Sequence, residues 1–547
     1  MPRSLVLLAA LLASSAAAQP LADSLAQRGI EAYESGAYAE SARLFADALD
    51  AGARDGTLAY YAACAAALAG DADAAFRFLA LAPDLGFLDA DLVRRDSDLA
   101  SLHDDPRWPV AVARVERASA TSRLLWASPT FRTPYADTLA VDERVAGLSR
   151  LWAEVKFNFA NFDLVPGRLD WDSLYVATLP RVRAAGSTLE YYRVLQSVVA
   201  RLHDGHVNVW LPPALADRAS AQPGLTTRLV EGRVFITDVW DPALAALGLR
   251  PGQEIVEIDG EPVHDYAARV VRPVVSSPKP LASDVWTYEY SLLSGDAATP
   301  VALTVDGADG SRQRVSVPRL PVEQARVVVP TPEPFGLDWL PGRVAHVRLT
   351  TFGGPEAADR FLERFPEIAE AAGVVLDVRE NGGGDGAVGY RVLCALTGAE
   401  RLVTAAWRTR LYRPVYRAWG RGEASDGDPA PTYGCDDALD YDGPVALLVG
   451  PRTGSAAEDL AVAFDLLDRG PIVGEPTAGS TGQPLLFALP GGGSARVTTR
   501  RDLYPDGREF VGLGVQPDVP AAPTVAGLRA GRDDALQAAA AALSLGD

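Results

Sequence analysis

The sequence predicts a multidomain α/β protein, and three observations carry that expectation. The chain has 547 residues, which at about 150 residues per domain gives roughly three or four units. Residues 343 to 520 alternate apolar strands such as "GVVLDVR", "PVALLVG" and "PIVGE" with helical segments such as "EAADRFLERFPEIAEA" and "AAEDLAVAFDLL". Strands alternating with helices of 10 to 15 residues imply βαβ crossovers. Between about 224 and 325 the texture changes to short β runs, and the front of the chain is helical. The expected divisions are 1–18, 19–120, 121–215, 216–328, 329–525 and a C-terminal helix over 526–547.

Residues 1–18 read as a signal peptide: Arg3, then an apolar run from Leu5 to Ala13, then Ala16-Ala17-Ala18 before Gln19. That run is too short to span a bilayer. An exported protein, periplasmic or secreted and soluble after cleavage, is expected. The net charge of −20 argues against nucleic acid as a partner, because phosphate binding needs a basic surface. Of three cysteines, Cys64, Cys394 and Cys435, at least one stays unpaired; Cys394 and Cys435 could bridge, and buried thiols are the alternative. No metal-type spacing occurs, and no cofactor is expected.

Residues 19–120 contain "AYESGAYAESARLFADAL" and "YYAACAAALAGDADAAFRFLAL", with Gly36 and Gly70 34 positions apart. That period and its small-residue pattern resemble tetratricopeptide helical hairpins, which implies a protein partner for this unit. "DPRW" at 105–108 is expected to close it. Residues 121–215 continue with "RVAGLSRLWAEVKFNF" and "EYYRVLQSVVARL", helical by their apolar spacing, and end in "HDGHVNVW", a corner leading into a short strand. Residues 216–328 run strand, small-residue helix, then "GLRPGQEIVEIDGEPV", an order that resembles a PDZ domain. Such domains take up the end of an extended peptide at a sheet edge.

The candidate nucleophile is Ser455 in "GPRTGSAAED", after a strand and at the start of a helix. A helix N-terminus offers unpaired N–H groups and a dipole that favours developing negative charge, so the Ala456 N–H is a candidate oxyanion donor. The competing reading makes Ser455 and Glu458 an S-x-x-E capping box. The glycines 382–384 follow another strand; with no GxxxxGK[ST] pattern and no lysine nearby, this loop suits an oxyanion better than a phosphate, through the backbone around Gly383. Asp377 and Arg379 are expected to hold that loop. Among five histidines, His206 in "DGH" sits where a side chain can face a cleft, with His203 its nearest rival.

"LHDGHVNV", "VVLDVRENGGGDG", "GPRTGSAAED", "VGEPTAGSTG" and "GLGVQPDV" occur in this order. Together with the PDZ-like stretch they resemble the tail-specific and C-terminal processing peptidases and their tricorn-core relatives, over about residues 140–525. The resemblance implies a crotonase-like (ClpP/crotonase) α/β core with a helical N-terminal piece, the PDZ-like insertion, and serine endopeptidase activity on polypeptides. In the processing branch the base is a lysine in a "TFGKG"-like segment; here the segment is "TAGSTG", with Ser480 near the lysine position, and the chain's only lysines are Lys156 and Lys279. The tricorn-like branch uses histidine, which implies His206 as general base, its activity falling as pH drops through about 6.5 for an unperturbed imidazole. Two departures stand out: Gly205 replaces the serine that commonly precedes that histidine, and Val511 stands where a carboxylate is expected. Glu509 and Ser480 are then candidates to orient His206, and Glu458 to orient or polarise the site. A non-catalytic binding protein for a small apolar ligand or peptide, or a PDZ and helical-repeat scaffold, are the competing readings.

Overall fold

The structure, a computed structural model, describes residues 21–22, 24–278, 280–435 and 439–543. The expected signal peptide lies outside them. The chain forms two compact units, residues 1–130 and 131–547. The first boundary therefore falls ten residues beyond the expected 120, because helix Trp108–Trp126 stays with the first unit and buries Ala111, Val112 and Val115 in its core. "DPRW" thus starts that helix rather than ending the unit.

In the first unit, helices Tyr38–Asp50, Gly56–Leu68 and Ala72–Leu81 pack in succession. Gly36 and Gly70 adopt φ of 77° and 82° at the turns between helices, a conformation that favours glycine. Asp55 and Asp71 cap the next helices by accepting from Thr57 N and Ala74 N. Cys64 is a buried free thiol.

The second unit is built on a six-stranded sheet whose spatial order follows the chain: β1 (Phe335–Leu340), β2 (Val344–Leu349), β3 (Gly373–Asp377), β4 (Val445–Val449), β5 (Ile472–Gly474) and β6 (Val519–Pro520). β1 pairs antiparallel with β2; every later pair is parallel. Crossovers of one hand put helices α1 (Glu356–Ile368), α2 (Gly386–Ala395) and α3 (Ala456–Leu466) on the same face, where Val374, Leu376, Leu447 and Val449 meet them. α1 shows why: Ala357, Ala358, Phe361, Phe365 and Ile368 form one buried stripe at helical spacing. Val375, Ala446, Leu448 and Val473 point to the other face and meet helix Asp534–Ala542. The expected single C-terminal helix is two, Val525–Arg529 and Asp534–Ala542, separated where Gly531 takes φ 64° and Asp533 caps the second by accepting from Leu536 N.

Helices Val141–Asn158, Trp171–Ala184 and Thr188–Val199 form a helical piece ending at the histidine corner. Its short strand Asn208–Trp210 pairs with Ser494–Thr498, and the next strand, Arg500–Leu503, pairs with Ala406–Leu411. That continuous run, 494–503, ties the histidine corner to a second small sheet, formed with Ala406–Leu411 and Ala424–Asp428. Residues 225–317 make a separate antiparallel sheet in the order 225–230, 233–239, 254–258, 301–306, 312–317.

Cys394 and Cys435 form a disulfide across 41 residues of sequence, so the buried-thiol reading holds only for Cys64. The bridge anchors the end of α2 to the segment after strand Thr432–Gly434. Replacing both cysteines by serine is expected to lower unfolding stability by about 2–4 kcal/mol through the freed denatured chain. Denaturant titration checks this, and an unchanged midpoint would contradict a formed bridge.

Candidate active site

Ser455 lies between β4 and α3 with φ 54° and ψ −129°, a conformation a serine adopts only when its surroundings impose it. The turn is held on several sides. Thr453 Oγ1 donates to Val378 O at 2.8 Å and accepts from Gly450 N at 3.0 Å. Gly454 N donates to Asn381 O at 3.0 Å, and Ser455 N to Ser480 O at 2.9 Å. Ser455 makes no side-chain cap to α3, so the serine half of the capping box is absent, although the Glu458 carboxylate keeps a backbone hydrogen bond to Ser455. Its hydroxyl is left for other work.

His206 Nε2 stands 3.2 Å from Ser455 Oγ, across 249 residues of sequence. Its Nδ1 lies 2.8 Å from Ser480 Oγ. His206 is 7% exposed. Burial first, and the Arg496 charge second, push the imidazolium down to about 3. The ordinary value near 6.5 expected from sequence therefore does not apply. The backbone is fixed by Asp204, whose Oδ1 accepts from His206 N at 2.8 Å and Thr498 Oγ1 at 2.7 Å, while Oδ2 accepts from Asn161 at 3.0 Å.

Glu458 is fully buried, and its recorded hydrogen bonds go to the 477–480 segment and the Ser455 backbone rather than to Ser455 Oγ or His206, a placement in keeping with the orienting role expected of it. It accepts from Thr477 Oγ1 at 2.5 Å, Gly479 N at 2.7 Å and Ser480 N at 2.8 Å. Burial nevertheless pushes its carboxyl up to about 7 against those donors and the Ser455 backbone. Glu509 is also displaced from its expected place: its carboxylate meets Arg408 at 2.6 Å and Arg501 at 3.5 Å, not His206. Those two guanidinium groups outcompete an uncharged imidazole for it.

Gly383 backs the nucleophile so closely that a Cβ would fall 2.6 Å from Ser455 Cβ. Its N–H is occupied by Asn381 Oδ1 at 2.9 Å, whereas the Ala456 N–H meets no acceptor among the described residues. Asp377 and Arg379 pair with each other and with His346 and Asp533, bracing the end of β3 against the C-terminal helix. Burial alone would raise Asp377, but those partners outweigh it and hold the carboxyl down at about 2.

Sequence reasoning missed Asp204, Asn161, Thr498 and Asn381. Only Asp204 left a local signal, an Asp-Gly turn that folds its carboxylate onto the backbone two residues on. Gly205 gains an explanation as well. A Cβ there would lie 2.3 Å from Ser480 Oγ and 2.9 Å from Ser480 Cβ, so the glycine and Ser480 require each other.

A serine held at positive φ at the end of a parallel strand, with an imidazole on its hydroxyl, defines a serine-type hydrolase centre. Residues 343–521 match the family model for Peptidase family S41, and the chain carries a domain of that serine-peptidase family. The C-terminal processing peptidase, chloroplastic, of Tetradesmus obliquus is 29% identical over 287 residues, 50% of this chain and 58% of that protein. Carboxyl-terminal-processing peptidase 3, chloroplastic, of Arabidopsis thaliana is 26% identical over 282 residues, 50% of this chain and 47% of that protein. The chain thus spans about half the length of these curated relatives. A solved structure of mature CPAF complexed with lactacystin shares the fold, with a TM-score of 0.59 and 16% identity over 74% of this chain and 98% of that one.

The mutual fit of Gly205 and Ser480 yields a reciprocal test. Gly205→Ser is expected to displace Ser480 and slow labelling of Ser455 by a fluorophosphonate about tenfold or more. Adding Ser480→Ala opens the space and restores part of the rate. A double variant slower than the single one would contradict the steric account.

Proposed function

We propose that the protein is an exported serine endopeptidase acting on polypeptides, with Ser455 as nucleophile and His206 as general base. The observation that carries this reading is the 3.2 Å approach of His206 Nε2 to Ser455 Oγ while Nδ1 is held by Ser480. With Nδ1–H donating to Ser480 Oγ, the Nε2 lone pair faces the Ser455 hydroxyl. Ser455 Oγ attacks the peptide carbonyl as Nε2 takes its proton. The tetrahedral oxyanion rests on the Ala456 N–H at the start of α3; the Gly383 N–H joins only by leaving Asn381. His206 then delivers the proton to the leaving amine, and water completes the cycle through the same base.

Ser480 offers a neutral oxygen where many such sites have a carboxylate, so it orients the imidazole without stabilising its charge. Nothing there offsets the burial and the Arg496 charge that lower the basicity of His206. Lys156 bonds to Asp172, far along the chain from "TAGSTG", which further supports histidine over lysine as base.

In this reading the sheet of residues 329–525 is a crotonase-like core and the stretch 216–328 a PDZ-like domain. The edge strand Leu225–Val230 would receive the C-terminal end of a substrate. The front unit is a tetratricopeptide-like domain for a protein partner, and residues 1–18 direct export. No helix among the described residues is long and apolar enough to cross a membrane.

Ser455→Ala is expected to abolish hydrolysis of an unstructured polypeptide, and His206→Ala to lower kcat by about 10²–10⁴. Persistent hydrolysis in Ser455→Ala would end this reading, and failure of a fluorophosphonate to label Ser455 would favour a binding protein on the same core. The pH profile separates the two buried groups. His206 stays neutral, and therefore basic, far below pH 6.5, so it contributes no acid limb there. Glu458 gains a proton as pH falls through about 7, loosening its hold on Ser480 and lowering the rate. That limb should vanish in Glu458→Gln; a limb near 6.5 surviving in that variant would return the titration to His206.

A further inference from the structure

Helix Thr188–Val199, strand Asn208–Trp210 and the helical segments 263–274 and 281–290 line a cavity of about 540 Å³. That volume suits a small organic molecule. One wall carries Arg193 and Arg496; Trp210, Trp286, Val270 and Val274 supply much of the apolar remainder, and no Asp or Glu lines it. The chain has 71 acidic residues against 51 basic ones, so carboxylates to pair these arginines are plentiful. Neither arginine has one in hydrogen-bond reach among the described residues.

Both guanidinium groups are instead braced by neutral acceptors. Arg193 Nη1 donates to Gln196 Oε1 at 3.0 Å and Nη2 to Ala219 O at 3.3 Å. Gln196 in turn donates to Val209 O at 3.0 Å, fixing the helix to the strand. Across the strand pair, Arg496 Nε donates to Asn208 Oδ1 at 2.8 Å and Nη2 to Gly205 O at 3.1 Å, with its guanidinium over the Trp210 ring at 5.1 Å. The nearest charge to Arg496 is Asp204, already engaged by Asn161, Thr498 and the His206 N–H. Burial lowers the basicity of both arginines, a cost that a bound anion would relieve.

We propose that this cavity is a binding site for an apolar carboxylate, its charged end held by Arg193 and Arg496 and its body by Trp210, Trp286 and the valines opposite. The ligand chemistry has two sources, a free carboxylic acid or the C-terminal residue of a polypeptide. None of the lining residues belongs to strand Leu225–Val230, so the site is separate from the sheet edge discussed above. It does not depend on the peptidase reading: a catalytically dead Ser455→Ala chain should bind as well as the native one.

The test is calorimetric titration of the full chain with octanoate, 1-octanol, and acetyl-Leu-Ala as free acid and as amide. Octanoate, the free-acid peptide, or both should saturate with a dissociation constant below about 1 mM. Saturation by the peptide alone assigns the site to polypeptide ends, by octanoate alone to free acids, and by both to either source. Octanol and the amide should bind at least about tenfold more weakly, as loss of a charge-assisted bond implies. Arg193→Gln should weaken the carboxylate by a similar factor. Trp286→Ala, at a side chain exposed enough to leave the core intact, should weaken it too if Arg193→Gln fails to fold. No saturation by either carboxylate, equal binding of octanol and octanoate, or native affinity in the folded variants would overturn the proposal.

Discussion

The site depends on one buried carboxylate. Glu458 leaves the first turn of α3 and accepts hydrogen bonds from Thr477, Gly479 and Ser480. Through those bonds the helix that begins at Ser455 also fixes the segment that holds His206. Ser480 returns the connection twice, with its carbonyl on Ser455 N and its hydroxyl on His206 Nδ1. A carboxylate without a cationic partner is costly to bury, and three short donors are what make it tolerable here. The same burial leaves it titrating near neutrality, so the scaffold's central contact is also its most pH-sensitive one.

Around this contact the second unit gathers three pieces of chain. The helical piece delivers His206, and strand pairing through 494–503 joins its corner to the small sheet around Ala406–Leu411. The antiparallel domain reaches the nucleophile turn through Arg452, whose Nε meets Glu289 Oε2 at 2.7 Å and whose Nη1 meets Glu380 beside the glycine loop. Glu289 is buried, and Arg228 stands 3.7 Å from it. Removing one member of such a group strands a buried charge, so the junction resists piecemeal substitution.

Much of this was legible in the sequence because it is written in local pattern. Strand and helix alternation gave the α/β class and its crossovers, the turn before Ser455 marked a candidate nucleophile, and "DGH" marked a corner able to present His206. What was illegible lies in contacts between distant segments. Thr498 reaches Asp204 across 294 residues, and Asn161 reaches it across 43. Glu458 was noticed for its helical spacing, but spacing places a side chain on a face without saying which neighbour it meets. Glu509 went the other way: near the site in sequence order, it is drawn off by Arg408 and Arg501. The histidine's low basicity is illegible for the same reason, since burial and the Arg496 charge are properties of the assembled fold. Gly205, a departure when read alone, leaves the space that Ser480 fills.

The central claim is that His206 is a neutral base, protonated on Nδ1 toward Ser480 and open on Nε2 toward Ser455. With only five histidines in the chain, nitrogen-15 NMR of histidine-labelled protein, assigned by loss of one signal in His206→Gln, reads that state directly. The account predicts a neutral ring with its proton on Nδ1, unchanged from pH 7 down to about pH 4. A ring protonated on both nitrogens at pH 6, or one carrying its proton on Nε2, would contradict it.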